Sequence, residues 1–311
     1  MIEVNNLVKI FNSKSGEFVA VDNISFNIND GEIVGILGSN GAGKSTTIKM
    51  MCGLLSPTEG NILIFDKNIK DKRNLKYILK RASFLLEGQR NIYYYFSLLE
   101  NIKYFLSLKG IKYADVKSHV DYLINYFGLQ SDLDKPIGSY STGMKQKASI
   151  IIALSGNEEI IVLDEPTLGL DVQSSNDLVF LLKKYVKERR KTVLITCHNM
   201  KVIEDICDKV IVIEKGKVIF NGKTYKLKNI FEMNQIEIIC TFDSQNEFEG
   251  YDLIDNKDGT SLIKIVAHNS QIGKMILDIE EKGARIMSIK SNNCDFESAY
   301  VEFIKNYKEN I

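Results

Sequence analysis

The chain has 311 residues, 44% of them hydrophobic and 26% charged, an ordinary globular composition that excludes a disordered or low-complexity polypeptide. Forty Lys and Arg balance forty Asp and Glu, so no overall field draws it to nucleic acid or an anionic membrane, and no nucleic-acid partner is expected. Cys52, Cys197, Cys207, Cys240 and Cys294 show no CxxC or other paired spacing, which argues against a zinc site or a disulfide scaffold and fits a reducing, cytosolic compartment.

A single core stops growing near about 250–300 residues, so the length favours one full-sized domain followed by a smaller one. The amino terminus MIEVNNLVKI interleaves polar with apolar side chains and offers no signal-peptide core. Apolar runs such as Ile150 to Leu154 fall far short of the roughly 20 residues that a membrane span needs.

From Ile2 to about Leu37 the alternation predicts short strands broken near Asn12 to Gly16 and Asn29 to Gly31. Strand Ile33 to Leu37 enters a glycine loop, and Ile48, Met51, Cys52 and Leu55 mark the helix beyond it, closed by Ser56-Pro57. Between about residues 87 and 150 the period is helical, with Val116, Val120, Leu123, Ile124 and Phe127 on one face, which predicts an inserted helical subdomain. Apolar strands Ile160 to Leu163 and Val193 to Ile195 flank a helix carrying Leu178, Leu181, Leu182 and Tyr185, a βαβ pattern implying a buried parallel sheet. Val210 to Ile213 and Val218 to Phe220 predict a hairpin around Lys215-Gly216, and Asn221-Gly222 reads as a further turn. A Lys-rich linker follows at 223–231. From 232 a small α+β domain is expected: strands at Ile236 to Phe242, Leu262 to Ala267 and Ile286 to Ile289, one helix with Ile272, Met275, Ile276 and Ile279, and another with Phe296, Ala299, Tyr300 and Phe303. The expected organisation is an α/β domain over 1–222, that linker, and an accessory domain over 232–311.

Gly38-Ser39-Asn40-Gly41-Ala42-Gly43-Lys44-Ser45-Thr46 matches GxxxxGK[ST] between a predicted strand and a predicted helix, the context this pattern requires. Composition alone would produce such a match in on the order of one chain in a hundred of this length, and the flanking elements lower that further. Glycines let several N–H groups turn inward as an anion-binding nest, and the helix amino terminus adds partial positive charge. Lys44 is placed to neutralise terminal phosphates, and the Ser45 hydroxyl to hold Mg²⁺. Downstream, Asp164 and Glu165 end an apolar strand. Either could be a simple cap, but beside a phosphate loop they divide labour, with Asp164 on Mg²⁺ through water and Glu165 orienting the attacking water.

With these residues in view the sequence resembles an ABC transporter ATPase subunit over residues 1 to about 222, and within that family the bacterial drug and antibiotic efflux type. Ser141-Thr142-Gly143-Met144-Lys145-Gln146 stands in place of the LSGGQ signature, and Asp164-Glu165-Pro166-Thr167-Leu168-Gly169-Leu170-Asp171 resembles the Walker B and D-loop stretch. His198 matches the switch histidine, and Phe11 stands where the family places an aromatic residue under adenine, although a lone Phe is more often core. The resemblance implies a P-loop NTPase fold with an antiparallel β subdomain, and ATP and Mg²⁺ as ligands. It also implies a second ATP-binding subunit, expected to be another copy, whose Ser141 and Gly143 cover the outer side of the γ-phosphate, with Asp171 at the seam. A separate polytopic permease completes the expected partners and places the chain peripherally on the cytoplasmic face of the cell membrane.

Departures from the pattern are informative. Thr142 replaces the signature's first glycine, Met144 its glutamine, and Ser39 a usual proline of the phosphate loop. Glu87 aligns with the Q-loop glutamine and is a candidate Mg²⁺ or water ligand, with Gln89 the alternative. The YSTGMKQK signature and a terminal helix beginning Asp295-Phe296-Glu297 carry the efflux resemblance. Two other readings remain open: a soluble ATPase of this type acting on ribosomes or DNA, and a non-catalytic nucleotide-binding subunit. Against them stand the single phosphate loop without a coiled-coil insertion, and the presence of Glu165 and His198. Tyr93, Tyr94, Tyr95 and Phe96 could receive a permease helix or could simply pack in the core.

Overall fold

A computed structural model of the chain describes residues 1–13, 16–88, 92–156, 158–197, 200–230, 233–242, 252–255, 259–293, 300–301 and 304. Contacts divide the chain into two units, Met1–Thr224 and Tyr225–Ile311. The first opens with β1 (Ile2–Ser13), β2 (Gly16–Ile28), β3 (Ile33–Leu37), α1 (Lys44–Met51), β4 (Glu59–Ile64), β5 (Lys67–Asn68), α2 (Lys72–Arg81) and β6 (Ala82–Leu85). Helices α3 (Leu98–Lys109), α4 (Tyr113–Tyr126) and α5 (Thr142–Leu154) form the expected helical stretch. After them come β7 (Ile160–Asp164), α6 (Val172–Arg189), β8 (Thr192–Thr196), α7 (Met200–Ile206), β9 (Lys209–Glu214) and β10 (Lys217–Lys223).

Six strands order as β10-β9-β3-β8-β7-β6, parallel throughout except for β10 at the edge. A second sheet, β2-β1-β4-β5, is antiparallel. Strands β3, β7 and β8 are buried at every residue, as a parallel strand covered on both faces must be, which is why they read as unbroken apolar runs. Ile48, Met50 and Met51 of α1 join Ile36, Val162 and Leu194 of the parallel sheet and Val4, Ile62 and Ile64 of the antiparallel one in a single core. Each such side chain contributes about 1.5–3 kcal/mol by leaving water. The α6 face is the expected one, with Leu178, Leu181, Leu182 and Tyr185 buried.

Three sequence readings are corrected. Asn221 and Gly222 do not turn; they lie inside β10, paired with Ile211 and Val210, because the ladder with β9 continues past them and an edge strand tolerates both residues. The Lys-rich segment expected only as a linker at 223–231 is helical over Thr224–Ile230, helix α8, with Leu227 buried. Helix α1 stops at Met51, capped at Cys52, rather than running to Leu55. Strands β4, β5 and β6 and helices α2 and α7 have no counterpart in the sequence reading.

The aromatic run is not core. Tyr93, Tyr94 and Phe96 are 40–47% exposed and Tyr95 is 95% exposed. Buried Asn101 shapes the turn that carries them: its amide donates to Tyr93 O and Ser97 O, and its Oδ1 accepts from Tyr93 N. Ser97 and Glu100 then cap α3 reciprocally. His119, on α4, packs structurally, with Nε2 2.9 Å from Leu154 O and Nδ1 3.2 Å from the Arg189 guanidinium.

The second unit holds β11 (Met233–Phe242), β12 (Asp252–Asp255), β13 (Ser261–His268), α9 (Asn269–Glu281) and β14 (Ala284–Asn293). Its antiparallel sheet orders as β12-β13-β11-β14. The apolar face of α9, with Ile272, Met275, Ile276 and Ile279, packs on Ile236, Ile238, Ile263 and Ile265 as the spacing predicts. The expected terminal helix lies mostly outside the described residues; residues 300, 301 and 304 are helical. No described helix is long and apolar enough to cross a membrane. Cys52, Cys197, Cys207 and Cys240 are buried thiols outside any disulfide.

Candidate functional site

Strand β3 delivers the chain into the glycine loop. Gly38 leaves no room for a side chain, since a Cβ there would lie 2.1 Å from Ile213 O. At Gly43 the backbone has φ 107°, and a Cβ would lie 2.5 Å from Ala20 O. A residue with a side chain at either position would displace backbone, so the loop and the start of α1 are set by these two glycines. Helix α1 begins after Gly43 without a side-chain cap and without an acidic residue in its first turn, which leaves its N–H groups and partial positive charge turned toward the loop.

Lys44 is 7% exposed, and its ammonium donates to Gly38 O at 2.8 Å and Ser39 O at 3.1 Å. Burial pushes its pKa below the usual lysine value, while Glu165, Asp164, Glu214 and Glu87 draw it back up. Pairing of β7 with β8 sets Asp164 beside Thr196, whose hydroxyl donates to Asp164 Oδ1 at 2.7 Å; the Ser45 hydroxyl reaches the same oxygen at 3.4 Å. Asp164 is 2% exposed, and its Oδ2 is buried with no hydrogen-bond partner in the structure. A buried carboxylate with one oxygen unpartnered, close to a hydroxyl at a helix amino terminus, would suit a hard divalent cation such as Mg²⁺, with Ser45 and Asp164 as the residues that would hold it. Glu87 is exposed and shares a cavity lining with Ser45.

Glu165 follows with φ 51°, a left-handed conformation that costs energy in a residue with a side chain. Thr196 holds it there: Glu165 N donates to Thr196 Oγ1 at 2.9 Å and to Thr196 O at 3.2 Å. Strain of this kind persists where surroundings over-determine it, and it turns the Glu165 carboxylate off the strand direction into the cavity.

The cavity measures about 610 Å³ and is lined by residues 40–46, Glu87, Glu165, Leu168, Phe11, Phe18 and Ala20. Phe11 is therefore a cavity residue rather than core, 38% exposed and with the Lys9 ammonium 5.1 Å from its ring centre. Phe18 pairs with it directly across the β1–β2 hairpin, giving two aromatic faces at the cavity mouth. Phe18, Thr196 and Glu214 were missed by sequence reasoning. Phe18 could have been found by folding the hairpin about residues 14–15; the other two belong to no local pattern.

Ser141 caps α5, accepting from Met144 N, and neither it nor Gly143 lines this cavity. Gln146 of the same helix donates to Pro166 O at 2.9 Å, tying the signature helix to the loop after Glu165. Asp171 caps α6, and the Ser174 N–H and hydroxyl hold its carboxyl below the usual carboxylate range. Leu168 and Val172 on either side of that cap are exposed. His198 and Gln89 lie outside the described residues. Among the described residues no group of three or more His, Cys, Asp and Glu surrounds a metal position, so a cation here would need the hydroxyl and its other ligands from the substrate and water.

A second cavity, about 620 Å³, lies between α2, β6, α3 and α5. Lys72, Leu75, Lys76, Leu79 and Lys80 of α2 face it at helical spacing, with Phe84, Leu86, Phe105 and Leu108 forming an apolar floor. Tyr93 packs on Phe105 with ring centres 5.9 Å apart, so the aromatic turn borders this groove.

Residues 21–168 match the ABC transporter family. The chain is 35% identical to the ABC transporter ATP-binding protein NatA of Bacillus subtilis, over 76% of this chain and 94% of NatA. It is 31% identical to the bacitracin transport ATP-binding protein BcrA of Bacillus licheniformis, over 98% of this chain and 97% of BcrA. The methionine import ATP-binding protein MetN 2 of Bacillus anthracis is 30% identical over 98% of this chain and 88% of its own length. Among solved structures, an ATP-binding cassette determined as a dimer in a post-hydrolysis state with ADP and Pi gives a TM-score of 0.67 at 26% identity, over 72% of this chain and 99% of that one.

Proposed function

The chain belongs to the ABC transporter ATP-binding proteins and is the ATP-binding, ATP-hydrolysing subunit of an ABC transporter; from that premise we propose how its own residues bind ATP, cleave it and pass the result to a permease. Phosphates rest in the loop of residues 38–46, where backbone N–H groups and the α1 amino terminus meet them and the Lys44 ammonium neutralises the terminal pair. Adenine lies at the cavity mouth against Phe11. Mg²⁺ on Ser45 and Asp164, with Glu87 beside it, supplies charge neutralisation of the phosphoryl oxygens. Glu165 accepts a proton from the attacking water at its carboxylate, and His198 donates to the γ-phosphate. The single observation that carries the reading is a buried ammonium and the Glu165 carboxylate on one cavity beside an uncapped helix amino terminus, with buried Asp164 behind them within reach of the Ser45 hydroxyl.

No residue of this chain's own signature stretch lines the cavity. We assign its cover to Ser141 and Gly143 of a second copy, whose α5 amino terminus would add a second positive helix end, with Asp171 at the seam. Solution of a structural relative as a dimer with ADP and Pi supports this arrangement. Ser141→Arg, at an exposed position, should leave ATP binding to the single chain within about threefold and lower turnover by about 10²-fold or more, since the second shell of phosphate contacts is lost. Titration and steady-state assays on the same preparation test it; turnover near that of the unaltered chain would remove Ser141 from the site.

The exposed aromatic turn of Tyr93 to Phe96 and the groove it borders beside α2 are the proposed seat of a permease helix, and the groove's rim lysines Lys72, Lys76 and Lys80 suit a segment that carries carboxylates around an apolar face. Such docking makes the chain peripheral to a membrane on its cytoplasmic side. Export is the proposed direction, resting on the signature variant and on the near end-to-end match to BcrA, whose name denotes bacitracin transport. Tyr94→Ser with Tyr95→Ser, both exposed, should leave basal ATPase activity nearly unchanged and abolish co-purification with the permease. Retained permease binding would remove the docking claim, and ATP-driven uptake by the reconstituted pair would reverse the direction.

A further inference from the structure

The tip of the β9–β10 hairpin, at the far end of the first unit's sequence, is laid against the phosphate loop at three points. Ile213 O stands where a Gly38 side chain would be, and Gly216 N donates to Ala42 O at 2.9 Å. Between them Glu214, 2% exposed, accepts from the Ser39 hydroxyl at 2.7 Å and from Ser39 N at 3.4 Å. The carbonyls on either side of that same Ser39 N–H face the other way, Gly38 O and Ser39 O both accepting from the Lys44 ammonium. The first turn of the loop is thus gripped by an anion on one side and a cation on the other.

A buried carboxylate close to a loop that receives phosphates opposes their binding, so its presence calls for a compensating effect. The contacts supply one: without an acceptor at Glu214, Ser39 would lose both hydrogen bonds, the Gly38–Ser39 peptide would be free to rotate, and Lys44 would lose its fixed carbonyl partners. Glu214 is also one of the four carboxylates that counter the effect of burial on Lys44.

We infer that Glu214 is a positioning residue for ATP: through Ser39 it fixes the first peptide of the phosphate loop and thereby the place of the Lys44 ammonium. This rests on the reading of the loop as the ATP site. The test compares KM for ATP and kcat in the full chain carrying Glu214→Ala, Glu214→Gln, Ser39→Ala, and the Ser39→Ala/Glu214→Ala double. Glu214→Ala is expected to raise KM about tenfold with kcat within about threefold, as for one lost charge-assisted hydrogen bond that acts on binding. Ser39→Ala, at an exposed position, should do the same. The double should be no worse than Glu214→Ala, because the Ser39 hydroxyl acts only through that carboxylate, whereas independent effects would multiply to about a hundredfold. Gln keeps an acceptor oxygen, and Glu214→Gln should bring KM back to within about threefold of the unaltered chain. Multiplying effects, a Gln variant as weak as Ala, or a loss confined to kcat would each overturn the proposal. Should Glu214→Ala fail to fold, Ser39→Ala alone against Ser39→Ala/Glu214→Gln gives the same comparison. Failure of the unaltered chain to turn over ATP would instead strike at the ATP site itself.

Discussion

Glu165→Gln is expected to bind ATP as the unaltered chain does and to hydrolyse it about 10²–10⁴ times more slowly, the loss typical of a positioned base. The substitution isolates chemistry from structure. Glutamine has nearly the shape of glutamate, the backbone N–H at 165 keeps its bonds to Thr196, and the left-handed turn that aims the side chain is unchanged. What disappears is the carboxylate proposed to accept the proton of the attacking water. Single-turnover hydrolysis measured alongside nucleotide affinity separates the two effects. A rate within a few fold of the unaltered chain would transfer the base to another residue.

Lys44→Ala should abolish useful ATP affinity, with an increase in Kd of about 10²–10³-fold, because the ammonium is buried and is the positive partner of a crowded set of anions. Its removal leaves Gly38 O and Ser39 O without a donor, and Asp164, Glu165, Glu214 and Glu87 without the charge that offsets them, at the very point where the phosphates bring more negative charge. Equilibrium binding of ATP to the isolated chain checks this. Affinity within tenfold of the unaltered protein would mean that the loop N–H groups and the helix end carry the phosphates alone.

Part of this site was legible because it is local. The loop needs its glycines, lysine and serine at fixed spacing between a strand and a helix, and Asp164 and Glu165 announce themselves as charges at the end of an apolar run. The buried parallel strands were legible for the same reason, since burial on both faces leaves a continuous apolar sequence. Other parts depend on distant pairings. Phe18 joins Phe11 only through hairpin register, Thr196 meets Asp164 only because β8 lies beside β7, and Glu214 reaches Ser39 from 175 residues away. Helix α2 went unread because it is only ten residues long and half of them are Lys or Arg, so Leu75, Ile78 and Leu79 mark a stripe of less than two turns where α6 runs for five. Strand β6, four residues long, is too short to show a period. At Asn221-Gly222 a strong turn signal yielded to ladder pairing with β9, and the Lys-rich segment after it yielded to helix because nothing in a run of lysines forbids one.

In the cycle proposed for this chain, ATP is closed between two copies and hydrolysis reopens the pair. Light scattering of Glu165→Gln in ATP and Mg²⁺ tests it most directly, since a chain that binds ATP and cannot cleave it should accumulate in the closed state. A mass near twice 35.3 kDa in ATP, returning to a single chain in ADP, is the predicted result. A single chain at high protein concentration with ATP bound would contradict it, and would place the second half of the site on a different polypeptide.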